Sequence, residues 1–259
     1  MQLYYRQQGE AHGRKPPLLL LHGLLGSSSN WQALAGQLWA QGVASIVPDL
    51  RNHGRSPHDP SMDYPLMAAD VIRLLDSLEL EQVVVLGHSM GAKVGMWMAL
   101  NYSDRVNSLI SVDMVPARSP NRFEAIFDSM LSLDLERIAS RQAADDHLAE
   151  SLDDPLLRQY LLQNLVREGD QWRWRVNLRV LDAALNNILD FPISHGPNQF
   201  QGETLFLYGG ESDYVTSDAG PAIQALFPYA RLRAVPGAGH WVHAEQPEAF
   251  LSAVLHFLR

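Results

Sequence analysis

Short runs of apolar residues alternate with longer segments of helical periodicity along most of the chain. Runs rich in Val, Ile and Leu favour buried strands of a parallel sheet, joined by crossover helices. The predicted strands are Pro17–Leu21, Val43–Pro48, Val83–Leu86, Asn107–Val112, Thr204–Tyr208 and Arg231–Val235, with an edge strand near Leu3–Gln7. The predicted helices are Trp31–Gln41, Tyr64–Leu78, Met90–Tyr102, Ser217–Phe227 and Gln246–Leu258. The pattern predicts an α/β fold, with a mostly parallel central sheet and helices on both faces.

One part of the chain breaks this alternation, from residue 116 to residue 195. It shows only helical patterns and no convincing core strand, and turn-rich segments lie at both of its ends, at 116–120 and 192–197. The helical patterns are Phe123–Leu131, Asp134–Leu148 and Pro155–Glu168. We predict a mainly helical cap at 116–195, inserted into a core formed by 1–115 and 196–259. The alternative is a second domain with no role at the site.

Composition narrows the classes of partner. The 259 residues are 46% hydrophobic, which is enough for a large core, and the formal net charge is −9. Nucleic acids and anionic membranes favour a basic face, so we expect neither as a partner. The chain has no cysteine, which excludes disulfides, a thiolate nucleophile and a Cys-ligated metal. Without a signal-peptide pattern or a long apolar run, we expect a cytoplasmic protein that is a monomer or a weak homo-oligomer.

A serine lies between two glycines in the segment Gly87-His88-Ser89-Met90-Gly91, between a predicted strand and a predicted helix. This pattern is typical of the nucleophile elbow of serine-dependent hydrolases. The tight turn requires small flanking residues and raises the serine hydroxyl above the sheet. The N-terminus of the following helix faces the position where negative charge would develop. We therefore predict Ser89 as a nucleophile.

A serine hydroxyl needs a base within hydrogen-bonding distance. His240 follows the last predicted strand in a glycine-containing loop, at the sheet edge where ligands bind in such folds. We predict His240 as the base, with a surface or helix-capping histidine as the alternative. His243 and His88 are weaker candidates, because His243 should lie near the start of a helix and His88 should point away from the nucleophile's side of the elbow. His22 is expected to be a buried packing residue.

The base in turn needs a carboxylate that fixes its tautomer. Asp113 ends the predicted strand Asn107–Val112, and Asp213 follows the predicted strand Thr204–Tyr208. Both aspartates lie at C-terminal strand ends and precede His240 in the chain. Their spacing does not separate them.

Two backbone amides are candidate donors to an oxyanion. The amide of Met90 directly follows the nucleophile. The amide of Leu24 lies in the loop after the first core strand, where Gly23 allows the backbone to approach closely.

These motifs together resemble those of the α/β-hydrolase superfamily. The resemblance is carried by Leu21-His22-Gly23, Asp49 to Ser56, Gly87 to Gly91 and Gly237 to Glu245. More narrowly, the chain is similar to the small YbfF-type esterases and their mitochondrial abhydrolase-domain relatives. That similarity is carried by Leu24-Leu25-Gly26-Ser27, Asp49 to Ser56, Ser111-Val112-Asp113, Trp174 to Leu178 and Gly209-Gly210.

The resemblance implies the α/β-hydrolase fold and places the triad acid at Asp113 rather than Asp213. It also implies chemistry without a cofactor, and no ligand-like spacing of His and carboxylates predicts a metal site. The run Asp49 to Ser56 is expected to be a structural turn. A substrate anchor at Arg51 or Arg55 is the alternative.

The chemistry expected from these residues is that of a serine carboxylic ester hydrolase, which acts on short-to-medium acyl esters or thioesters through an acyl-enzyme. The predicted substrate pocket is lined by Leu25, Phe123, Phe127, Trp174 and Trp241. The apolar cap residues Ile126, Met130, Leu131 and Trp172 belong either to this pocket or to the core of the cap. The same triad could act on C–C, lactone or amide bonds or in perhydrolysis, and a non-catalytic ligand-binding protein could keep the same fold.

Overall fold

A central sheet of seven strands and a separate two-stranded hairpin form the β-structure of the computed structural model, which describes residues 1–10, 15–192 and 199–259. The strands are β1 (Tyr5–Gln8), β2 (Leu18–Leu21), β3 (Ser45–Pro48), β4 (Val83–His88), β5 (Val106–Val112), β6 (Leu165–Glu168), β7 (Gln171–Trp174), β8 (Thr204–Gly209) and β9 (Ala230–Val235). The sheet has the order β1-β3-β2-β4-β5-β8-β9. Only β1 runs antiparallel to its neighbour in this sheet, and the hairpin pairs β6 with β7.

Helices cover both faces of the sheet. They are α1 (Gln32–Trp39), α2 (Tyr64–Ser77), α3 (Met90–Asn101), α4 (Glu124–Ser132), α5 (Arg141–Ala149), α6 (Pro155–Leu162), α7 (Leu178–Ala183), α8 (Leu185–Leu189), α9 (Gly220–Leu226), α10 (Val242–Glu245) and α11 (Pro247–Phe257). No helix of the described ranges is long and apolar enough to cross a membrane.

The alternation of side chains along β2 shows how the two layers form. Leu19 and Leu21 are buried in one cluster with residues of α2 and α3, and Leu18 and Leu20 are buried in the other with residues of α1 and α11. A strand that is apolar at every position is the expected result of burial on both faces. The predicted α/β fold is confirmed, and the core strands and helices lie within a few residues of their predicted bounds.

The chain between β5 and β8 lies outside the central sheet, and we call its described residues, 116–192, the cap. The cap contains α4 to α8 and is mainly helical, as expected, but it also holds the hairpin of β6 and β7, which the helical patterns did not predict. The pattern at Pro155–Glu168 continues as a helix only to Leu162, and the pattern at Asp134–Leu148 forms a helix only over Arg141–Ala149. Gly169 has a φ of 62° and turns β6 back onto β7, since two residues link these strands. The predicted end of the cap, at 195, and the closing turn segment at 193–197 lie outside the described residues.

Two glycines allow α3 to approach the sheet at the elbow. A Cβ atom on Gly91 would lie 2.4 Å from the carbonyl oxygen of Leu21, and a Cβ atom on Gly87 would lie 2.2 Å from the carbonyl oxygen of Gly91. Both neighbours are backbone atoms, which cannot move away as the end of a side chain can. The close contact between β4, α3 and the end of β2 therefore requires glycine at both positions.

We expect Gly91→Ala to lower the free energy of unfolding by about 1–3 kcal/mol, because the added methyl group overpacks a backbone contact. Gly36→Ala is the matched control. Gly36 lies in α1 with open space around its Cα, so alanine should raise helix stability by about 1 kcal/mol. Urea unfolding measures both variants. An unchanged free energy of unfolding for Gly91→Ala would contradict the packing argument.

Candidate active site

Ser89 lies at the C-terminal edge of the sheet, between β4 and α3. Its φ of 53° and ψ of −117° are an unfavourable conformation for a residue with a side chain. The Ser89 amide donates to the carbonyl oxygen of Val112 at 3.1 Å, which ties the turn to the end of β5. The Ser89 side chain lines a cavity between the sheet edge and the cap. The strained turn thus presents a hydroxyl to the inside of the molecule.

His240 lies in the loop after β9 and lines the same cavity as Ser89. Its Nδ1 donates to Asp113 Oδ2 at 2.7 Å, and its ring stacks on Tyr214 at a centroid distance of 4.2 Å. Glu245 accepts hydrogen bonds from the amides on both sides of His240, at 2.7 and 3.0 Å. These contacts hold the ring plane, the tautomer and the loop. Among the hydrogen bonds of the described residues, none joins the Ser89 hydroxyl to the His240 ring.

Asp113 directly follows β5 and is fully buried, with a φ of 50°. Its carboxylate accepts hydrogen bonds from His240, from the Ser212 hydroxyl at 2.5 Å and from the Gly209 amide at 3.1 Å. A buried carboxylate is costly unless donors surround it, and these three supply the missing solvation. Sequence reasoning did not identify Ser212, although it lies in the same loop segment as Asp213.

Asp213 has a different environment. Its side chain is 61% exposed and forms a salt bridge with Arg122 of the cap. The hydrogen bond from Arg122 lowers the pKa of the Asp213 carboxyl. The structure therefore brings Asp113, and not Asp213, into contact with His240.

The sequence suggested that His88 points away from the nucleophile's side of the elbow, but in the structure it lies on the same side as His240. Its ring lines the cavity and lies 4.6 Å from the ring of His240, and its Nε2 donates to the His240 carbonyl oxygen at 2.9 Å. Burial and the neighbouring imidazoles lower the pKa of His88, which favours the neutral ring. His243 lies at the start of a helix, as expected, and is half-buried against Trp31. His22 is buried and accepts a hydrogen bond from the Leu50 amide at 3.0 Å.

The cavity beside Ser89 and His240 has a volume of about 240 Å³. Its lining is mostly apolar and comes from both the core and the cap. It includes Leu24, Leu25, Phe123, Ile126, Leu157, Tyr160, Leu161, Tyr214 and Trp241. Three of the five predicted pocket residues are therefore found at the cavity. Leu157, Tyr160 and Leu161 were not identified from the sequence, although their spacing on α6 is that of one helix face.

Two residues expected in the pocket lie elsewhere. Phe127 is almost fully buried in the main hydrophobic cluster together with Met130, and Trp174 donates from Nε1 to the Met130 carbonyl oxygen at 3.0 Å. Phe123 and Ile126 reach the cavity from one side of α4, whereas Phe127 packs toward the interior. The prediction for Phe127 and Trp174 is corrected accordingly: both pack in the cap.

The loop after β2 passes against the elbow. A Cβ atom on Gly23 would lie 3.2 Å from Nδ1 of His88 and 3.4 Å from the Cβ atom of Ser89, so a side chain at this position would press on the His88 ring. Leu24 follows at the cavity wall, and Met90 begins α3. Within the described residues, neither the Leu24 amide nor the Met90 amide donates to another backbone group. Two backbone donors therefore remain available beside Ser89.

The run Asp49 to Ser56 forms a structural turn. The Asp49 carboxylate accepts from the Ser28 amide at 2.6 Å and from the Arg55 amide at 2.8 Å. Arg51 is buried and pairs with Asp70 at 2.6 Å. Neither arginine lines the cavity, so the structure gives no support to a substrate anchor at these positions.

Comparisons with known proteins agree with the fold. A family model described as alpha/beta hydrolase fold matches residues 16–247. The chain is 42% identical to the sn-1-specific diacylglycerol lipase ABHD11 of Xenopus laevis, over 94% of this chain and 80% of that protein. It is 35% identical to esterase YbfF of Escherichia coli (strain K12), over 97% and 96% of the two chains. A solved marine microorganism esterase has a TM-score of 0.94 and 36% identity, with 99% of each chain covered.

The chain belongs to the α/β-hydrolase family. It is a hydrolase of the esterase/lipase type. The resemblance noted from the sequence motifs is confirmed.

The buried histidines predict a loss of stability at acid pH. Burial lowers the pKa of His243 from 6.5 to about 4. Below pH 6.5 the unfolded chain binds a proton that the folded chain does not, so stability falls as the pH drops from about 6.5 to about 4. We expect His243→Leu to remove about 2 kcal/mol of the loss between pH 7.5 and pH 5 in urea unfolding. His256→Leu, at an exposed position of α11, is the control. Equal acid sensitivity of wild type and His243→Leu would contradict the assignment.

Proposed function

We propose that this protein is a serine carboxylic ester hydrolase that uses Ser89 as nucleophile, His240 as base and Asp113 as the acid of a triad. The observation that carries this proposal is the hydrogen bond between His240 Nδ1 and the buried carboxylate of Asp113, at the cavity that Ser89 also lines. Asp113 fixes the tautomer in which Nε2 carries the lone pair. Nε2 is then the ring atom able to accept a proton from Ser89.

In acylation, Ser89 Oγ attacks the carbonyl carbon of the ester while His240 Nε2 takes the hydroxyl proton. This transfer requires the two atoms to lie about 3 Å apart, a distance that free enzymes often reach only with substrate bound. The tetrahedral intermediate carries its negative charge on the former carbonyl oxygen. The amides of Leu24 and Met90 donate to this oxygen, and the N-terminus of α3 adds a favourable dipole.

The intermediate then breaks its bond to the leaving group. His240 gives its proton to the departing alkoxide or thiolate, which leaves as the alcohol or thiol. An acyl-enzyme on Ser89 remains. Water attacks this ester with His240 again as the base, and the products are the carboxylic acid and the free Ser89 hydroxyl.

The cavity supports small acyl groups as substrates. Its volume of about 240 Å³ lies just below the range of roughly 300–1,000 Å³ that drug-sized ligands occupy. Leu25, Phe123 and Trp241 give it an apolar wall that favours an acyl chain over a charged group. We therefore propose short-to-medium acyl esters or thioesters, with the cap as a lid that completes the acyl pocket.

Ser89→Ala should reduce the hydrolysis of p-nitrophenyl butyrate by at least 10³-fold, because no other hydroxyl replaces the nucleophile. The measurement is the release of p-nitrophenol at pH 7.5. Ser103→Ala, a serine outside the cavity, is the control. Full activity of Ser89→Ala would exclude Ser89 as nucleophile, and a wild type without turnover on a series of acyl esters and thioesters would exclude the esterase.

Asp113→Asn should lower kcat on the same substrate by about 10⁴-fold, since the amide no longer selects the reactive tautomer of His240. Asp213→Asn should stay within about threefold of wild type, because Asp213 is exposed and pairs with Arg122. The two substitutions are chemically identical and differ only in position. The reverse ranking of kcat would move the acid role to Asp213.

A further inference from the structure

The peptide unit between Leu24 and Leu25 is held at both of its ends. On the core side, the Leu25 amide donates to His53 Nε2 at 3.1 Å. On the cap side, the Tyr160 hydroxyl donates to the Leu24 carbonyl oxygen at 2.9 Å. Because a peptide unit is planar, these two hydrogen bonds fix its orientation. The Leu24 amide, one residue earlier, can then turn only about the two backbone bonds of Leu24.

A second contact from the cap holds the next carbonyl group. Asn164 is buried and donates from Nδ2 to the Leu25 carbonyl oxygen at 2.7 Å. Leu25 has a φ of 62°, a conformation that is unfavourable for a residue with a side chain. A turn that contains such a residue needs additional contacts that stabilise its backbone conformation. Tyr160 and Asn164 supply such contacts, and both belong to the cap.

Tyr160 is also packed closely at its hydroxyl group and against one ring. A Cβ atom on Gly26 would lie 2.6 Å from the Tyr160 hydroxyl oxygen, and the ring lies 4.4 Å from the ring of Trp241, which follows His240. Burial raises the pKa of Tyr160, so the hydroxyl stays protonated and remains a donor. The hydroxyl therefore has a fixed position against the loop rather than a free rotation into the cavity.

We propose that Tyr160 and Asn164 are positioning residues of the oxyanion hole: by holding the carbonyl groups of Leu24 and Leu25, the cap aims the Leu24 amide at the carbonyl oxygen of the bound ester. This inference rests on the proposed esterase function. It assigns the cap a part in the chemical step in addition to its part in the acyl pocket. A core whose Ser89, His240 and Asp113 are intact would still be slow when α6 is displaced.

A matched contact elsewhere separates this role from simple attachment of the cap. Asn177 of the cap donates from Nδ2 to Asn52 Oδ1 of the core at 3.1 Å. Neither residue lines the cavity, and within the described residues neither forms a hydrogen bond with the loop after β2. Asn177→Ala therefore removes a hydrogen bond between cap and core without removing one at the oxyanion loop.

The test is Tyr160→Phe, which removes one hydroxyl and keeps the ring. Removal of an oxyanion donor itself costs about 10²–10³ in kcat, so loss of a contact that aims one donor should cost less. We expect kcat on p-nitrophenyl butyrate to fall by about 10-fold, with KM within twofold of wild type. The affinity for butylboronic acid, which forms a tetrahedral adduct on the serine, should fall by a factor similar to that in kcat. Asn177→Ala should keep both values.

Asn164→Ala provides a second variant, with the same expected pattern in kcat and boronate affinity. An effect of Tyr160→Phe on KM alone would assign Tyr160 to substrate binding and overturn the inference, and so would unchanged kcat and boronate affinity. An equal loss of kcat in Asn177→Ala would overturn it in favour of general cap docking. Wild-type turnover that Ser89→Ala abolishes tests the proposed function separately. A wild type without turnover overturns the function and this inference together.

Discussion

The site depends on one buried carboxylate. Asp113 has no access to water, so its solvation must come from donors within the protein. These donors are the Gly209 amide at the end of β8, the Ser212 hydroxyl in the following loop and the His240 ring after β9. Three segments that are far apart in sequence therefore meet at the end of β5. Removal of any one donor would leave a lone pair of a buried charge without a partner, which is costly.

The cap contributes to the same site by a different physical route. The core can fix the Leu25 amide through His53, but the carbonyl groups of Leu24 and Leu25 have their hydrogen-bond donors on the cap. A loop with an unfavourable φ at Leu25 is thus held jointly by two parts of the molecule. The insertion between β5 and β8 consequently shapes the backbone beside Ser89 as well as the apolar wall of the cavity.

Much of the fold could be predicted because its physical causes are local. A strand such as β2, which is buried on both faces, is apolar at every position, and the tight elbow leaves space only for glycine at positions 87 and 91. The choice between Asp113 and Asp213 depends on the tertiary structure and could not be made from local sequence. Both follow strands that are paired on both sides, but Asp113 comes directly after β5 and is buried, whereas Asp213 lies four residues beyond β8 and is exposed.

The cap was harder to predict because its apolar residues serve two purposes. Phe123, directly before α4, and Phe127 on α4 are one helical turn apart, yet Phe123 lines the cavity and Phe127 is buried in the hydrophobic cluster. Periodicity identifies that face as apolar and does not say which part of it meets another element. The hairpin of β6 and β7 was not predicted for a related reason. Along β6 only Leu165 is buried, so the alternation of buried and exposed residues that is typical of a strand is weak.

The packing of imidazoles around His240 completes the electrostatic arrangement of the proposed triad. When His240 takes the serine proton it becomes a cation, and its ring lies 4.6 Å from the ring of His88. A second positive charge at that distance would cost about 4 kcal/mol at an effective dielectric constant of about 20. Burial lowers the pKa of His88 and keeps this neighbour neutral, while its Nε2 still donates to the His240 carbonyl oxygen. The charge that forms on His240 is therefore opposed by no charge from His88 and is stabilised by Asp113.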